Sequence, residues 1–287
     1  MQEIPQNVFD KISLMYYDLT ASEKKTADYV MSHRTETQYM SVADLAEESG
    51  VAEATVSRFC RTLGYEGYNI FKLAIANASS ASGDGSEMLI GSVTEEDGFA
   101  EMCQKLFTAD RDAMSQTMSV VDEQQIGEAV DMLHKAGKVL CMGQGGSMLL
   151  ASECAHLFST VSGKFFPVTD SHSQVIAAAN MSRDDVLLFF SYSGATRDMM
   201  ETLSVAKDNK VSVILITRFP KSPGAFFADL VLPCGSNESP LQLSSVAAKI
   251  AQLYLMDVLF TEYCRREPEA VFESKEKIAA ALAKKHL

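Results

Sequence analysis

Two short runs place hydroxyls beside glycine where an apolar stretch stops. Gly143-Gln144-Gly145-Gly146-Ser147 follows the apolar residues 138–142, and Ser191-Tyr192-Ser193-Gly194-Ala195-Thr196 follows 186–190. Each run is succeeded by a helical pattern. Glycine at a strand-to-helix turn lets backbone N–H groups approach an anion, and the helix dipole favours negative charge there. Neutral hydroxyls and N–H groups suit a phosphate monoester that binds reversibly. A plainer reading stands beside this one: the glycines serve packing alone, and Ser193 and Thr196 cap the helix they precede. A dinucleotide fingerprint is incomplete, since Met148 occupies the third glycine position and no acidic residue follows at the right distance for a ribose. No cofactor is expected.

A third constellation lies at 41–63. Leu45 and Ala46 face inward, Gly50 sits at a bend that calls for positive φ, and Val51 fills the gap between two helices. Val56, Phe59, Cys60 and Leu63 then recur at i, i+3, i+4 and i+7. By spacing this is a helix-turn-helix. The outer face of its second helix carries Glu53, Thr55, Ser57, Arg58, Arg61 and Thr62, groups able to bond base edges or phosphates. An αα-corner with a solvated polar face is the competing reading.

Other reactive residues are scattered. An aldose–ketose isomerase needs a general base beside the reacting carbons, and His172, Asp170 and Glu238 are the residues that could supply it. His172 also reads as a solvated loop histidine. Glu153 and His156 have metal-compatible i, i+3 spacing but no matching second pair, and His33, His134 and His286 are far apart. The six cysteines form no CxxC pair and are expected to be reduced, with no metal site.

The elements that must position these groups divide in two. Residues 7–76 read as helices throughout, with capping boxes at Thr20-Ala21-Ser22-Glu23 and, with Asp in place of Glu, at Ser41-Val42-Ala43-Asp44. Residues 77–86 are small and polar with two glycines, the composition of a flexible linker. Helical patterns follow at 96–120 and 123–136. Short apolar runs at 138–142, 164–168, 186–190, 211–216 and 229–232 then alternate with helical segments at 147–161, 171–180 and 196–208. Alternation of this kind predicts a parallel sheet covered on both faces. The expected fold class is α/β: an N-terminal all-α helix-turn-helix domain joined to a three-layer α/β sandwich with a five-stranded parallel sheet. Residues 241–260 form a helix apolar nearly all round, which predicts burial in the domain or in a subunit interface, hence at least a dimer.

Composition narrows the classes. The 287 residues are 47% apolar and 22% charged, so the chain is globular rather than disordered. No apolar run is long enough to span a bilayer, and residues 1–5 lack the pattern of a signal peptide, which predicts a cytoplasmic protein with no membrane partner. A net charge of −13, with seven basic against eleven acidic residues even in 1–80, excludes a bulk charge-driven nucleic-acid binder. DNA recognition must therefore rest on local charge placement.

Two runs carry a family resemblance. Ala54-Thr55-Val56-Ser57-Arg58-Phe59-Cys60-Arg61 followed by Leu63-Gly64-Tyr65-Glu66-Gly67-Tyr68 resembles the RpiR/MurR group of bacterial sugar-responsive transcription regulators. Ala52 departs from that group, which often has a capping Ser there. The S-x-S-G-x-T run with the upstream G-x-G-G-S resembles the sugar isomerase (SIS) phosphosugar-binding domain, over about residues 124–263. The resemblance implies operator DNA contacts from Thr55, Ser57, Arg58 and Arg61. It implies phosphate contacts from Ser147, Ser191, Ser193 and Thr196, backbone help from Gly146 and Tyr192, and a sugar contact from Glu238. The expected layout is a DNA-binding domain at 1–77, a linker at 78–95, a connecting helix at 96–122, a SIS-like domain at 123–265 and a helical tail at 266–287. The alternative is a phosphosugar isomerase with an added helical domain.

Overall fold

The computed structural model describes residues 7–81, 88–90, 93–236 and 245–283. They fall into two compact units that divide between Ala109 and Asp110.

The first unit is built from five helices: α1 (Val8–Met15), α2 (Ala21–Ser32), α3 (Val42–Glu48), α4 (Glu53–Thr62) and α5 (Tyr68–Ala81). Local chemistry starts the first three. Asn7 Oδ1 accepts from the N–H groups of Phe9 and Asp10 at α1, and Thr20/Glu23 and Ser41/Asp44 form reciprocal capping boxes at α2 and α3. Helices α3 and α4 end alike. Gly50 and Gly64 take φ of +63° and +81°, and the N–H groups of Val51 and Tyr65 return to Ala46 O and Cys60 O at 2.9 Å each. That left-handed step satisfies carbonyls the helix leaves orphaned, and glycine takes it without a Cβ clash. Leu45, Val56, Phe59, Leu63, Phe71 and Ile75 are fully buried in one core, with the rings of Phe59 and Phe71 edge to face at 5.5 Å.

The stretch read as a linker is structured at both of its described ends. Helix α5 runs on to Ala81, because Ala78 is buried in the core and Ser79 Oγ donates to Arg34 O. A two-stranded antiparallel pair follows, β1 (Met88–Ile90) with β2 (Val93–Thr94). Residues 82–87, which carry the linker's glycines, lie outside the described residues. Helix α6 (Phe99–Val120) starts at Phe99 rather than 96, since the Asp97 carboxylate turns back to accept from Thr94 N and from Lys105.

The second unit contains α7 (Glu123–Lys135), β3 (Val139–Gly143), α8 (Gly146–Ser159), β4 (Phe165–Val168), α9 (Ser171–Ala179), β5 (Val186–Phe190), α10 (Arg197–Asp208), β6 (Ser212–Thr217), β7 (Leu230–Pro233), α11 (Val246–Arg266) and α12 (Pro268–Ala283). The sheet is wholly parallel in the order β4-β3-β5-β6-β7. Alternation along each strand sends side chains to two cores. Val139, Cys141, Leu188, Phe190, Ile214 and Ile216 pack with α7, α8 and α11, while Leu140, Met142, Leu187, Phe189, Val213 and Leu215 pack with α9 and α10. These are the three layers the alternation predicts.

In helix α11 one face is buried in the domain and the other stays open within the single chain, as the expectation of burial in the domain or in an interface allows. Ala248, Ala251, Leu255, Met256, Leu259 and Tyr263 are buried, but Val246 and Leu253 are exposed beside Asp257 and Thr261. One face is core and the other is not, so a span read as uniformly apolar has two environments. Residues 241–244 lie outside the described residues. Among the described residues no helix is long and apolar enough to cross a membrane.

Candidate functional site

The outer face of α4 presents Arg58 and Arg61 to solvent, with Ser57 half-buried between turns. Thr55 does not join them. It is 7% exposed, and Arg58 Nη2 approaches its Oγ1 at 3.4 Å. One position from Val56 in a ten-residue helix, Thr55 falls at the margin of the buried arc, which the i, i+3, i+4 count alone does not show. Thr62 is exposed at the last turn, but its hydroxyl donates to Glu23 Oε1 at 2.8 Å. Ala52 stands at the N-cap of α4 with extended backbone and makes no side-chain cap bond.

In the second unit, both glycine–hydroxyl runs leave from the carboxyl ends of neighbouring strands. Gly143, the last residue of β3, pairs in register with Phe190, the last of β5. From β3 the chain crosses to β4 on one side and then returns to β5 on the other, so a crevice opens where the strand order reverses. Open α/β sheets hold ligands at that point. Gly145 turns at φ +55° into α8, whose first residue is Gly146, and Ser147 follows half-buried. Glycine is required at 143 because a Cβ there would stand 2.5 Å from Ser147 O. Gly194 combines φ +58° with a Cβ direction that strikes the Ser222 side chain.

The hydroxyls in the second run differ in their commitments. Ser191 is 5% exposed and its Oγ accepts from Gly194 N at 3.1 Å, which shapes the loop from within. Ser193 is exposed and accepts from Ala195 N at 3.3 Å. Thr196 is the N-cap residue of α10 yet makes no side-chain cap bond, so the plainer reading of that threonine as a cap does not hold. Tyr192 points its hydroxyl away to donate to Ser236 O at 2.9 Å, while its own carbonyl accepts from Arg218 N and Thr217 Oγ1. The structure therefore brings Gly146 and Ser147, at the start of α8, and Ser191, Ser193 and Thr196, between β5 and α10, to the ends of neighbouring strands, with the Tyr192 carbonyl bonded to Thr217 and Arg218. Glu238 lies outside the described residues.

Two residues at this crevice escape sequence reasoning. Gln174 is 1% exposed; its Nε2 donates to Gly143 O at 2.9 Å and Val168 O at 2.8 Å, and its Oε1 accepts from Gln144 Nε2. One buried amide thus ties the ends of β3 and β4 and steadies the glycine-rich turn. The available signal was a polar residue on the inner face of a short helix. Arg218 follows β6 directly, half-buried, and its Nε donates to Ser236 O at 3.0 Å. It adds positive charge beside the Tyr192 loop.

Of the residues named for acid–base chemistry, Asp170 and His172 lie together at the start of α9, and Glu238 lies outside the described residues. Asp170 caps α9, and the hydrogen bonds from Ser173 hold its carboxyl below the usual carboxylate range. His172 is exposed in the first turn of the same helix. Among the described residues no group of three or more His, Cys, Asp or Glu could hold a metal ion.

Comparison with known proteins agrees with both halves of this arrangement. Residues 6–82 match the helix-turn-helix domain of the rpiR family, and residues 132–262 match the SIS domain. An HTH-type transcriptional regulator of Haemophilus influenzae is 30% identical over 272 residues, 94% of each chain. The chain belongs to the rpiR family of transcriptional regulators. A second relative in the family, HexR of Escherichia coli, is 27% identical over 96% of this chain and 94% of its own. Vibrio vulnificus NanR, solved in complex with ManNAc-6P, shares the fold with a TM-score of 0.85 at 24% identity, over 98% of this chain and 99% of that one. The sugar isomerase domain of a Sphaerobacter thermophilus RpiR transcription factor matches 62% of this chain and 98% of its own, with a TM-score of 0.57 at 22% identity. This regulator is accordingly a helix-turn-helix domain followed by a SIS domain.

Proposed function

We propose that this regulator binds a palindromic operator as a dimer, through Ser57, Arg58 and Arg61 of α4, and senses a sugar phosphate without transforming it. The observation that carries the effector reading is the in-register pairing of Gly143 with Phe190, which places two glycine–hydroxyl loops side by side at the reversal of strand order. The start of α8 lies at the same crevice, where the helix dipole favours an anion, although Ser147 N and Met148 N already donate to Gln144 O at 3.1 Å and Gly145 O at 3.2 Å. The phosphate sits between Gly146-Ser147 and Ser191–Thr196, with Gly146 and Tyr192 acting through the backbone and Glu238 reaching the sugar. In this reading residues 1–77 engage DNA, 123–265 hold the effector, and 78–122 join them.

A NanR complex with ManNAc-6P, together with relatives named as transcriptional regulators, supports effector sensing over catalysis. So does Asp170, whose carboxylate is spent as a helix cap. Self-association is supported by Val246 and Leu253, exposed on α11, and by a hollow of about 460 Å³ whose lining joins Val121, Ile126 and Val258 to the charged Glu123, Asp257, Glu262 and Arg265. A DNA-reading protein of this kind works in the cytoplasm, beside the chromosome.

The test is a thermal-shift screen of the full chain against sugar phosphates and the matching unphosphorylated sugars. Stabilisation by a phosphorylated sugar alone is expected, since ligand binding to the folded state raises the melting point. Equal response to both forms removes the phosphate assignment. Turnover of an aldose phosphate into its ketose, abolished by His172→Ala, replaces the sensor with an isomerase.

A further inference from the structure

Glu23 occupies the third position of α2, where a capping-box acid ordinarily closes its own helix. One of its oxygens does so: Oε2 accepts from Thr20 N at 2.9 Å and from Thr20 Oγ1 at 2.7 Å. The other oxygen is not needed for that task. Oε1 accepts from Thr62 Oγ1 at 2.8 Å, and Thr62 is the last residue of α4. The side chain is only 6% exposed. Burying a carboxylate is costly unless its charge is met. Burial pushes the Glu23 carboxyl up, but the bonds from Thr20 and Thr62 and the charge of Arg58 outweigh it and hold the group below its usual value. The carboxylate is therefore ionised at neutral pH.

Resting on the DNA-binding reading above, we infer that Glu23 is a positioning residue for the reading helix, fixing the rotation of α4 through Thr62. Helix α4 needs such a tether. Its N-cap, Ala52, supplies no side-chain bond, whereas Asn7, Thr20 and Ser41 each supply one to their helices. A bidentate contact to a base edge tolerates little error in helix rotation, so a helix unpinned at its start is held instead at its last turn.

The protein itself offers the substitution that separates cap from tether. In α3 an Asp at the equivalent position, Asp44, completes a working capping box with Ser41. Glu23→Asp keeps that chemistry at α2 while withdrawing the carboxylate by one methylene from Thr62. The measurements use the full chain, a duplex enriched from a random-sequence pool by the wild-type protein, and a scrambled duplex of equal length. Glu23→Asp and Thr62→Val should each lower the ratio of enriched to scrambled affinity by about tenfold, with similar melting points. The double variant should lose no more than either single one, because both remove the same link. Thr62→Ser, which restores the hydroxyl, should recover the wild-type ratio.

A wild-type ratio in Glu23→Asp or Thr62→Val overturns the inference, as does a lowered melting point with the ratio intact, which marks Glu23 as stabilising only. Multiplying losses in the double variant also overturn it, for they assign Thr62 a DNA contact of its own. A wild-type protein that enriches no sequence removes the operator reading, and this inference with it.

Discussion

The face of α4 proposed to read DNA comes from ten consecutive residues, whereas the crevice of the second unit is made from two runs far apart in the chain. In the first unit helical periodicity alone sorts Val56, Phe59, Cys60 and Leu63 inward and Arg58 and Arg61 outward. In the second, the runs at 143–147 and 191–196 are brought together only because β3 and β5 lie side by side. A face set locally survives damage elsewhere so long as its helix packs. A site set by topology depends on close approaches, and glycine marks where those occur.

That contrast predicts different sensitivities. The largest effect is expected from Gly194→Val, which adds a branched side chain at φ +58° against Ser222 and Thr217. Left-handed strain of about 1–2 kcal/mol and overpacking of about 1–3 kcal/mol should together abolish effector response in a thermal-shift assay. DNA binding by the unliganded protein should persist, and its loss would mean that the two faces are not independently built. Next come Arg58→Ala and Arg61→Ala. Each should weaken operator binding by about 1–3 kcal/mol, roughly five- to 150-fold in a gel-shift titration, with sugar-phosphate binding unchanged. Binding that stays at wild-type strength in both moves the reading face off α4.

Ser193→Ala is expected to act in the opposite unit. A hydroxyl bond to a charged group contributes about 1.5–3 kcal/mol, so effector affinity measured by calorimetry should fall roughly tenfold or more. Operator affinity without effector should not change, since an effector shifts only the balance between states that bind it unequally. An unaltered sugar-phosphate affinity places the phosphate elsewhere. The smallest effect is expected from Ala52→Ser. A side-chain cap contributes about 1 kcal/mol, and the backbone at 52 already has the extended geometry a cap needs. Denaturant unfolding should show the variant more stable by about that amount, and a neutral or lower value means the hydroxyl does not reach its N–H.

Much of the first unit was legible before folding because its signals act within one helical turn. Both capping boxes, the positive φ at Gly50 and the buried set on α4 follow from neighbours three and four residues apart. Thr55 was misplaced because an exposed arc and a buried arc meet at its position, and only the packing of α4 against its neighbours sets the margin. Glu23 was readable as a cap, but its bond to Thr62 joins helices that no local pattern relates. In the second unit the strands and the glycine turns were legible, while Gln174 and Arg218 were not. A buried amide between two strand ends has no sequence period, and its value appears only when Gly143 O and Val168 O are seen to need a donor.

By itself, then, the sequence determined most of the helices and the two capping boxes, the five strands of the parallel sheet and their order along the chain, and the two glycine–hydroxyl runs. These depend on periodicity, backbone preference and side-chain bonds that span a few residues. Only the tertiary structure decided that β3 and β5 are neighbours, that Tyr192 turns its hydroxyl away while Thr196 makes no cap bond, and that α11 keeps one face out of the core. Those outcomes depend on which buried polar groups find partners and which surfaces meet, and both are settled by contacts between segments remote in the chain.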